Sequence, residues 1–484
     1  MKNRVLFPVT SLVLLGACGH NTPSPEEYNV IYILADDLGY GDVGCYGQQK
    51  IRTPNIDRLA AEGVRFTQHY AGCTVSAPSR SSLMTGQHTG HTPIRGNKSR
   101  GEGLEGQYPI PDETYTLAEM FRQAGYVTGA FGKWGLGYPG SEGDPVYQGF
   151  DEFFGVNCQV MAHRYYPEYL WHNLEKYPLE GNDKTNCAQY SQDVIHERAL
   201  RFIADNKDRK FFAFLPYTLP HAEILVPEDS IVRSYRGRLE ENKPFRASKG
   251  SDYGPDMVYM KYCPQPEPHA QFAAMVSRLD KYVGDVLTLV DSLGLGEKTI
   301  VVFASDNGPH REGGADPDYF GSYGPLRGIK RDMYEGGVRV PMIARCPGLI
   351  PSGTVSDHVC AFWDVLPTFA EMADVEPASQ IDGISFWPAL TGRGGQKEHE
   401  YLYWEFHEMG GKIAVRMGKW KGIKLHVLKD PRAKIELYDL ETDLHEDHNV
   451  ADVHPEIVER IEAIMREART PSPVFRFEQP SGEI

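Results

Sequence analysis

The chain has 484 residues, a length that favours two domains because single hydrophobic cores stop growing near about 250–300 residues. Its hydrophobic content of 41%, with 11% aromatic residues, is typical of a packed globular protein and argues against disorder outside the ends. The formal net charge of -16 and the lack of a long basic run argue against nucleic acid as a partner, so an anionic substrate needs a local positive site.

The N-terminal residues are typical of an export signal. The run MKNRVLFPVTSLVLLGAC has a basic start, an apolar stretch too short to span a bilayer, and small residues at its end. The ending LGAC also resembles a bacterial lipobox, in which Cys18 is lipidated; a plain signal peptide cleaved nearby is the alternative. We predict a signal peptide over 1–17, a lipidated linker over 18–27, and an exported lipoprotein held at the membrane only by its lipid.

Strand and helix signals alternate in the next part of the chain. The runs 28–35, 211–218 and 298–305 are short, apolar and rich in branched or aromatic residues, as buried strands are. Helical spacing occurs in TPNIDRLAAEGVRF, in DETYTLAEMFRQAGYVTGAFGKWG and over 271–293. This alternation predicts an α/β fold with a large, mostly parallel or mixed sheet between helices, whose strand carboxyl ends collect binding groups.

The pattern changes near residue 396. Short extended runs (YLYWEF, KIAVRMG, WKGIKLHV, AKIELYDL) are followed by a helix after Pro455, which predicts a small antiparallel sheet with a terminal helix. We therefore predict a large domain over 28–395 and a C-terminal α+β subdomain over 396–484. Residues 225–265 are polar and rich in Pro, Gly and Arg, and we expect a long surface loop or insertion there.

Acidic and amide side chains follow two of the predicted strands. Asp36 and Asp37 come directly after the first strand, and Asp306 and Asn307 follow 298–305. In a parallel sheet both strand ends face one crevice, where adjacent carboxylates require a neutralising partner. Four oxygen ligands suit a hard cation, calcium or magnesium, and suit zinc poorly. Each pair alone is equally typical of turns and helix caps.

The segment CTVSAPSRSSLMTG contains two candidate nucleophiles, Cys73 and Ser76. Pro78 falls in a first helical turn and Gly86 at the helix end, so Ser76 is expected at the N-cap. A helix N-terminus at this point favours a bound anion. Taken alone, the segment is explained as well by a simple capping serine.

The pattern S-x-P-S-R, followed by L-M-T-G, resembles the signature of the formylglycine-dependent sulfatases of the alkaline phosphatase superfamily. In that family the residue four positions before the arginine is oxidised to formylglycine. Counting back from Arg80 gives Ser76, whereas the fourth residue after Cys73 is Ala77. The resemblance therefore implies a serine-type sulfatase, with Cys73 as a buried small side chain.

Other family segments occur in the expected order over most of the chain: ILADDLGYGDVG, GKWGLG, LPYTLPHAE, SDNGPH, LRGIKRDMYEGGVRVP and YDLETDLHEDHNVAD. The resemblance implies an alkaline phosphatase-like fold in which 28–395 is the catalytic domain. It implies metal ligands at Asp36, Asp37, Asp306 and Asn307. It implies catalytic residues at Ser76, Arg80, Lys133, His221 and Lys330.

One position departs from the family pattern. The lysine segment usually reads GKWHLG, and Gly135 stands here in place of the histidine that helps to hold the formylglycine diol. The histidine's role is therefore either absent or taken over by another group. We name His310, His163 and His407 as candidate substrate contacts, with His310 first because it lies three residues beyond Asn307.

The resemblance also implies a mechanism and partners. The hydrated aldehyde made from Ser76 attacks sulfur, Arg80 and Lys133 hold the modified residue and the sulfate oxygens, and His221 or Lys330 protonates the leaving alcohol. A radical-SAM formylglycine-generating enzyme matures the protein. The expected substrate is a glycan sulfated on galactose or N-acetylgalactosamine, with calcium, or else magnesium, as the cation. The similarity is to secreted sulfatases of Gram-negative bacteria, which implies a periplasmic or outer-membrane lipoprotein of such a bacterium. Aromatic residues at 153–171 and 403–408 could stack on sugars or pack in the core.

Two other functions stay open at this point. A phosphohydrolase or phosphotransferase of the same superfamily would use unmodified Ser76, usually with two metals. A glycan-binding lipoprotein without catalytic activity is suggested by Gly135.

Overall fold

The computed structural model describes residues 28–99, 105–241, 243–377, 380–430 and 432–477. The predicted signal peptide over 1–17, the linker over 18–27 and the lipidated Cys18 lie outside these residues. Among the helices that the described residues form, none has the length and apolar character needed to cross a membrane.

Within the described part of the chain, eleven strands form one large sheet. They are β1 (Asn29–Ala35), β2 (Val64–Tyr70), β3 (Val127–Lys133), β4 (Glu152–Val156), β5 (Tyr169–His172), β6 (Glu175–Pro178), β7 (Phe211–Pro216), β8 (Thr299–Ser305), β9 (Arg339–Arg345), β10 (Thr354–Ser356) and β11 (Cys360–Ala361). The order is β10-β2-β9-β8-β1-β7-β3-β4-β5-β6, and β11 pairs with β2. The central strands β8, β1, β7, β3 and β4 are parallel, whereas β9, β5 and β6 pair antiparallel with their neighbours. The predicted mostly parallel, mixed sheet is confirmed.

Helices cover both faces of this sheet. The α-helices of the described residues are α1 (Pro54–Ala61), α2 (Ser76–Thr85), α3 (Leu117–Gln123), α4 (Ser191–Asp205), α5 (Ser230–Arg233), α6 (Pro268–Ser292), α7 (Pro317–Phe320), α8 (Glu335–Val338), α9 (Val365–Ala373), α10 (Trp387–Leu390) and, on the second sheet described below, α11 (Pro455–Glu467). Because successive strand residues point to opposite faces, Ile31 and Ile33 of β1 pack with the cluster of α4 and α6, and Val30 and Tyr32 pack with that of α3 and α9. Burial on both faces explains why β1 is apolar throughout.

The C-terminal part forms a second sheet of four antiparallel strands in sequence order: β12 (Leu402–Phe406), β13 (Lys412–Met417), β14 (Trp420–Leu425) and β15 (Ile435–Asp439). Helix α11 packs against this sheet through Ile461 and Met465. The predicted small antiparallel sheet and terminal helix are confirmed, and the domain boundary at 395/396 stays a prediction. In the predicted loop over 225–265, the described residues form only α5 and an isolated bridge between Phe245 and Gln265.

The parallel register of the central strands brings distant segments of the chain together. Ala35 at the end of β1 is opposite Ser305 at the end of β8, and the Asp306 backbone N–H donates to the Ala35 carbonyl (3.0 Å). Lys133 is the last residue of β3, the next strand but one from β1. The polar residues that follow these strands therefore meet at one edge of the sheet.

Candidate active site

Four oxygen-bearing side chains meet where β1 and β8 end. The backbone N–H of Asp37 donates to Asp306 Oδ1 (3.0 Å), and Asn307 Nδ2 donates to Asp37 Oδ1 (2.7 Å). Asp37 adopts a left-handed backbone with φ 64°, a conformation that Asp tolerates better than most residues. All four side chains, including Asp36, are fully buried. The structure thus brings the predicted metal ligands together.

Each of the three carboxylates contacts a buried cationic side chain. The pairs are Lys133 Nζ with Asp36 Oδ2 (2.5 Å), Lys330 Nζ with Asp37 Oδ2 (2.7 Å), and Arg80 Nε and Nη2 with Asp306 Oδ2 (3.0 and 2.9 Å). Isolated charges in such a site would be very unfavourable, and the pairing offsets that cost. Arg80 also donates through Nη1 to the Lys133 carbonyl (2.5 Å), which fixes the position of its guanidinium group.

Ser76 begins helix α2 and faces this cluster. The N-cap is Val75 and Ser76 is the first helical residue, so the prediction of Ser76 at the N-cap is wrong by one position. Instead of capping the helix, Ser76 Oγ donates to Asp36 Oδ1 (3.0 Å), and Lys133 Nζ lies 3.5 Å from the same Oγ. The helix ends, as expected, at Gly86, whose φ of 68° suits glycine.

His221 and Lys330 form a proton-bearing pair beside Asp37. His221 Nδ1–H donates to the Ala222 carbonyl, so its Nε2 carries a lone pair that accepts from Lys330 Nζ (3.2 Å). Burial, followed by the charge of Lys330, holds the pKa of His221 well below its ordinary value. Burial alone would lower the pKa of Lys330, but the charges of Asp37 and Glu312 outweigh it and raise that pKa. At neutral pH His221 is therefore neutral and Lys330 protonated.

The carboxylates themselves are unequal. Burial alone would raise the pKa of Asp36, but Lys133 and then His221 and Arg80 outweigh it and hold that pKa well below its usual range. Burial, with the neighbouring charge of Asp36, raises the pKa of Asp306. Of Asp36 and Asp306, Asp36 therefore keeps its negative charge more strongly.

The four residues fit a divalent cation. The Oδ1 atom of Asn307 is buried and has no hydrogen-bond partner in the structure. Among the four, carboxylate oxygens of Asp36 and Asp37 lie within 4.8 Å of one another, close enough to share one ion. Carboxylate and amide oxygens are the donors that calcium and magnesium prefer.

A cavity of about 240 Å³ opens above Ser76. Its cationic or histidine lining residues are Lys98, His163, His221, Lys330 and Arg331, and no Asp or Glu occurs among the described residues that line it. The remaining described lining includes the amides of Asn97, Gln107 and Gln159 and the ring of Tyr262. In a chain with a net charge of -16, this cavity is the local positive site that an anionic substrate requires.

The three candidate histidines have different surroundings. His163 lines the cavity and stacks on His221 with ring centroids 5.2 Å apart. His310 lies beside His221 with centroids 5.8 Å apart, where it contacts the Pro220 carbonyl and Glu312, and it is not among the described lining residues.

His407 is also absent from the described lining. It contacts Glu405 (Nε2–Oε1, 2.9 Å) and stacks on Phe477. Of the three histidines, the geometry therefore supports a substrate contact only for His163.

The sequence analysis missed Gln159. Its side chain lines the cavity, and its Nε2 is the atom nearest to where a Cβ on Gly135 would lie (2.8 Å). Gly135, which stands where the family pattern has histidine, indicated that another side chain could take the histidine's place, but no motif identified that side chain.

The comparisons with known proteins agree with this geometry. The profile of the family described as Sulfatase matches residues 28–375. The chain belongs to the sulfatase family. A second profile, N-sulphoglucosamine sulphohydrolase, C-terminal, matches residues 328–470. The chain is therefore an enzyme that hydrolyses sulfate esters, and this assignment favours the sulfatase prediction over the phosphohydrolase and the non-catalytic alternatives.

Relatives and solved structures cover most of the chain. N-acetylgalactosamine-6-sulfatase of Canis lupus familiaris is 32% identical over 436 residues, which span 86% of this chain and 74% of the relative. Arylsulfatase A of Homo sapiens is 31% identical over 537 residues, spanning 98% and 95%. The crystal structure of Ps i-CgsB with k-i-k-neocarrahexaose is similar with a TM-score of 0.74 and 27% identity, covering 91% of this chain and 92% of that one.

Proposed function

We propose that this sulfatase removes O-sulfate from galactose or N-acetylgalactosamine residues of glycans, using a formylglycine made from Ser76 and one divalent cation. The observation that carries the proposal is the position of Ser76 Oγ, 3.0 Å from Asp36 Oδ1 and in the lining of a cavity whose described residues include cations and no carboxylate. A sulfate ester is anionic, and such a cavity attracts it to the nucleophile.

The sugar class rests on the relatives. One relative is an N-acetylgalactosamine-6-sulfatase, and a similar structure holds k-i-k-neocarrahexaose. Most aromatic residues of 153–171 and 403–408, such as Phe153, Tyr165 and Trp404, are buried in the core, so they are not sugar-stacking faces. The aromatic ring that lines the cavity is Tyr262, from the loop over 225–265. We propose that this ring contacts the sugar.

The proposed roles follow from the contacts. Asp36, Asp37, Asp306 and Asn307 would hold the cation, which would supply positive charge for the sulfate oxygens; calcium is the first choice and magnesium the second. A formylglycine at position 76 would supply a hydroxyl nucleophile when hydrated. Arg80 and Lys133, buried beneath residue 76, would orient that residue and attract the sulfate oxygens.

The proton for the leaving alcohol comes from the Lys330 and His221 pair. Lys330 keeps its proton at neutral pH, because Asp37 and Glu312 raise its pKa, and it lies in the cavity lining. His221 Nε2, 3.2 Å from Lys330 Nζ, accepts a hydrogen bond from Lys330, and His221 lines the same cavity. Lys330 can therefore protonate the alkoxide directly or through His221.

Export and maturation complete the proposal. We propose that a radical-SAM formylglycine-generating enzyme oxidises Ser76, and that the chain is exported to the periplasm or outer membrane with a lipid on Cys18. Mass spectrometry of the two peptides tests both steps. The Ser76 peptide should lack two hydrogens, and the Cys18 peptide should carry acyl chains.

The decisive experiment is sulfate release by protein matured in a host that supplies the maturase. A panel of sulfated monosaccharides that differ in sugar and in sulfate position should show turnover confined to galactose or N-acetylgalactosamine esters. Ser76→Ala should abolish it. Hydrolysis of phosphate esters by protein with unmodified Ser76, or turnover confined to other sugars, contradicts the proposal.

A further inference from the structure

Gln159 fills the space that the family's histidine would occupy. Gly135 stands at that histidine's position, and its φ of +83° is strained for any residue with a side chain. A Cβ at position 135 would lie 2.8 Å from Gln159 Nε2 and 3.7 Å from Arg80 Cδ. A side chain at 135 and the Gln159 amide therefore compete for one place beside Arg80.

The backbone holds Gln159 at that place. The N–H groups of Trp134 and Gly135 donate to the carbonyls of Val156 and Asn157 (2.9 and 2.8 Å), so the pairing of β3 with β4 continues to position 135. Two residues further on, the Gln159 carbonyl accepts from the Ala162 N–H (3.2 Å). Gln159 is thus attached to the edge of the sheet that carries Lys133.

The Gln159 amide donor has no partner in the structure. Its Nε2 atom is buried without a hydrogen-bond acceptor, and the side chain lines the same cavity as Ser76, His163 and His221. Leaving a buried amide N–H unpaired is unfavourable, so such a group in a binding site points to an acceptor on the ligand. A sulfate group offers oxygen acceptors only.

We propose that Gln159 Nε2, from the place that a side chain at position 135 would occupy, donates a hydrogen bond to an oxygen of the bound sulfate group. The inference rests on the proposed function, because it assigns a contact to the same site. A carboxamide does not titrate near neutral pH, so this contact has the same strength throughout that range, unlike one made by histidine.

Inorganic sulfate is the probe, measured by calorimetric titration of the full-length matured protein at constant ionic strength. Gln159→Glu keeps the shape of the side chain but places a carboxylate against the anion at neutral pH. We expect sulfate affinity to fall at least about tenfold, as loss of a hydrogen bond and added repulsion require. As the pH falls through about 4.3, protonation of the new glutamate restores a donor, and affinity relative to wild type should recover.

Dividing the sulfate affinity of the variant by that of wild type at each pH removes the contribution of the other titratable or charged groups that line the cavity. These groups are Lys98, His163, His221, Lys330 and Arg331. Gln159→Leu should lose less sulfate affinity than Gln159→Glu at neutral pH, because it removes the hydrogen bond without adding repulsion, and it should show no recovery at low pH. It is the deciding variant if Gln159→Glu does not fold. Gln123→Glu, at the exposed end of α3, is the matched control and should bind like wild type.

Unchanged sulfate affinity in the Gln159 variants, or a loss in Gln159→Glu that is the same at every pH, overturns the inference. Because sulfate binding needs no turnover, this outcome is separate from failure of the proposed function. Gln159-dependent sulfate binding without sulfate release from any sugar ester would contradict the proposed function alone. Sulfate release with binding indifferent to Gln159 would contradict this inference alone.

Discussion

Two buried ionic clusters in this sulfatase differ in how their carboxylates are arranged and in whether they face a cavity. At the proposed active site, Asp36, Asp37 and Asp306 crowd together, and Asn307 Oδ1 has no hydrogen-bond partner. Between the C-terminal sheet and the segment around Arg95, Glu405 stands alone and accepts four hydrogen bonds. The donors are Arg95 Nη1, His407 Nε2, Tyr403 Oη and Arg469 Nε, each at 2.9 Å.

This difference distinguishes a functional site from a structural ion-pair cluster. Glu405 has its donors in place and is not among the described residues that line the cavity, although His407 Nδ1 in its cluster is buried without a hydrogen-bond partner. The proposed active-site cluster concentrates like charges, leaves Asn307 Oδ1 without a partner and faces a cavity through Ser76. A buried charge by itself therefore indicates little; crowding, an unpaired polar atom and access to a cavity together indicate function.

The largest expected effect separates Ser76 from a neighbouring serine on the same helix. Ser76→Ala removes the side chain that we propose is oxidised to formylglycine, and kcat/KM should fall by at least about 10³-fold. The free energy of unfolding should change by only about 1 kcal/mol, because a single hydrogen bond to Asp36 is lost. Sulfate release and urea denaturation provide the two measurements.

Ser82→Ala is the matched control. Ser82 lies in α2 and its buried Oγ has no hydrogen-bond partner, so its removal should leave sulfate release unchanged. Equal losses of activity in the two variants would show that helix integrity, rather than the group at 76, limits activity.

The next largest effect tests the structural cluster. Glu405→Gln leaves the buried Arg95 and the partly buried Arg469 without their counter-charge, and the free energy of unfolding should fall by about 3–5 kcal/mol. Burial alone raises the pKa of Glu405, but the His407 hydrogen bond and the charge of Arg95 outweigh it and lower the pKa to about 2.

This lowered pKa fixes the sign of the pH dependence. Stability from ionised Glu405 is fully present above its unfolded pKa, near 4.5, and is lost as the pH falls toward about 2. The gap between wild type and Glu405→Gln in urea denaturation should therefore narrow below about pH 4.5. Glu400→Gln, at an exposed ion pair, should differ from wild type by less than about 0.5 kcal/mol. A gap that stays constant down to pH 2 would contradict this assignment.

Cation binding should distinguish the clusters directly. After treatment with a chelator, calcium at about 100 times its Kd should raise the free energy of unfolding by about 2.7 kcal/mol, because it binds only the folded state. Asn307→Ala should abolish this increment. Glu405→Gln should keep it while lowering the baseline. An increment that survives in Asn307→Ala would place the ion elsewhere in the molecule.

The sequence predicted those site residues whose positions depend on strand ends or on short spacings along the chain. Asp36 and Asp306 were predictable neighbours because parallel strands align their carboxyl ends, and Ser76 was identified by its distance from Arg80. His310 and His407 were ranked by nearness in sequence and by residue type. Their surroundings are set by contacts with Pro220 and Glu405.

Gln159 was not predictable for a related reason. It reaches the site through the pairing of β3 with β4, and glutamine carries no distinctive spacing. Gly135 showed that a side chain was missing, but the chain segment that supplies a substitute depends on the folded sheet. Sequence motifs therefore locate the centre of this site better than its lining.

The smallest expected effect concerns the other candidate nucleophile. Cys73 is fully buried, its Sγ contacts the Glu405 carbonyl (3.5 Å), and burial raises the pKa of its thiol to about 12. Since the thiolate is the nucleophile, such a thiol is inert at neutral pH. Cys73→Ala should keep sulfate release within about twofold and cost about 1 kcal/mol of unfolding free energy, through the small cavity it leaves. In native protein a maleimide should modify the exposed Cys187 and leave Cys73 intact. A tenfold loss of activity in Cys73→Ala at unchanged stability would indicate that Cys73 takes part in the reaction. Because Cys73 contacts Glu405, that result would also contradict the functional distinction between the two clusters.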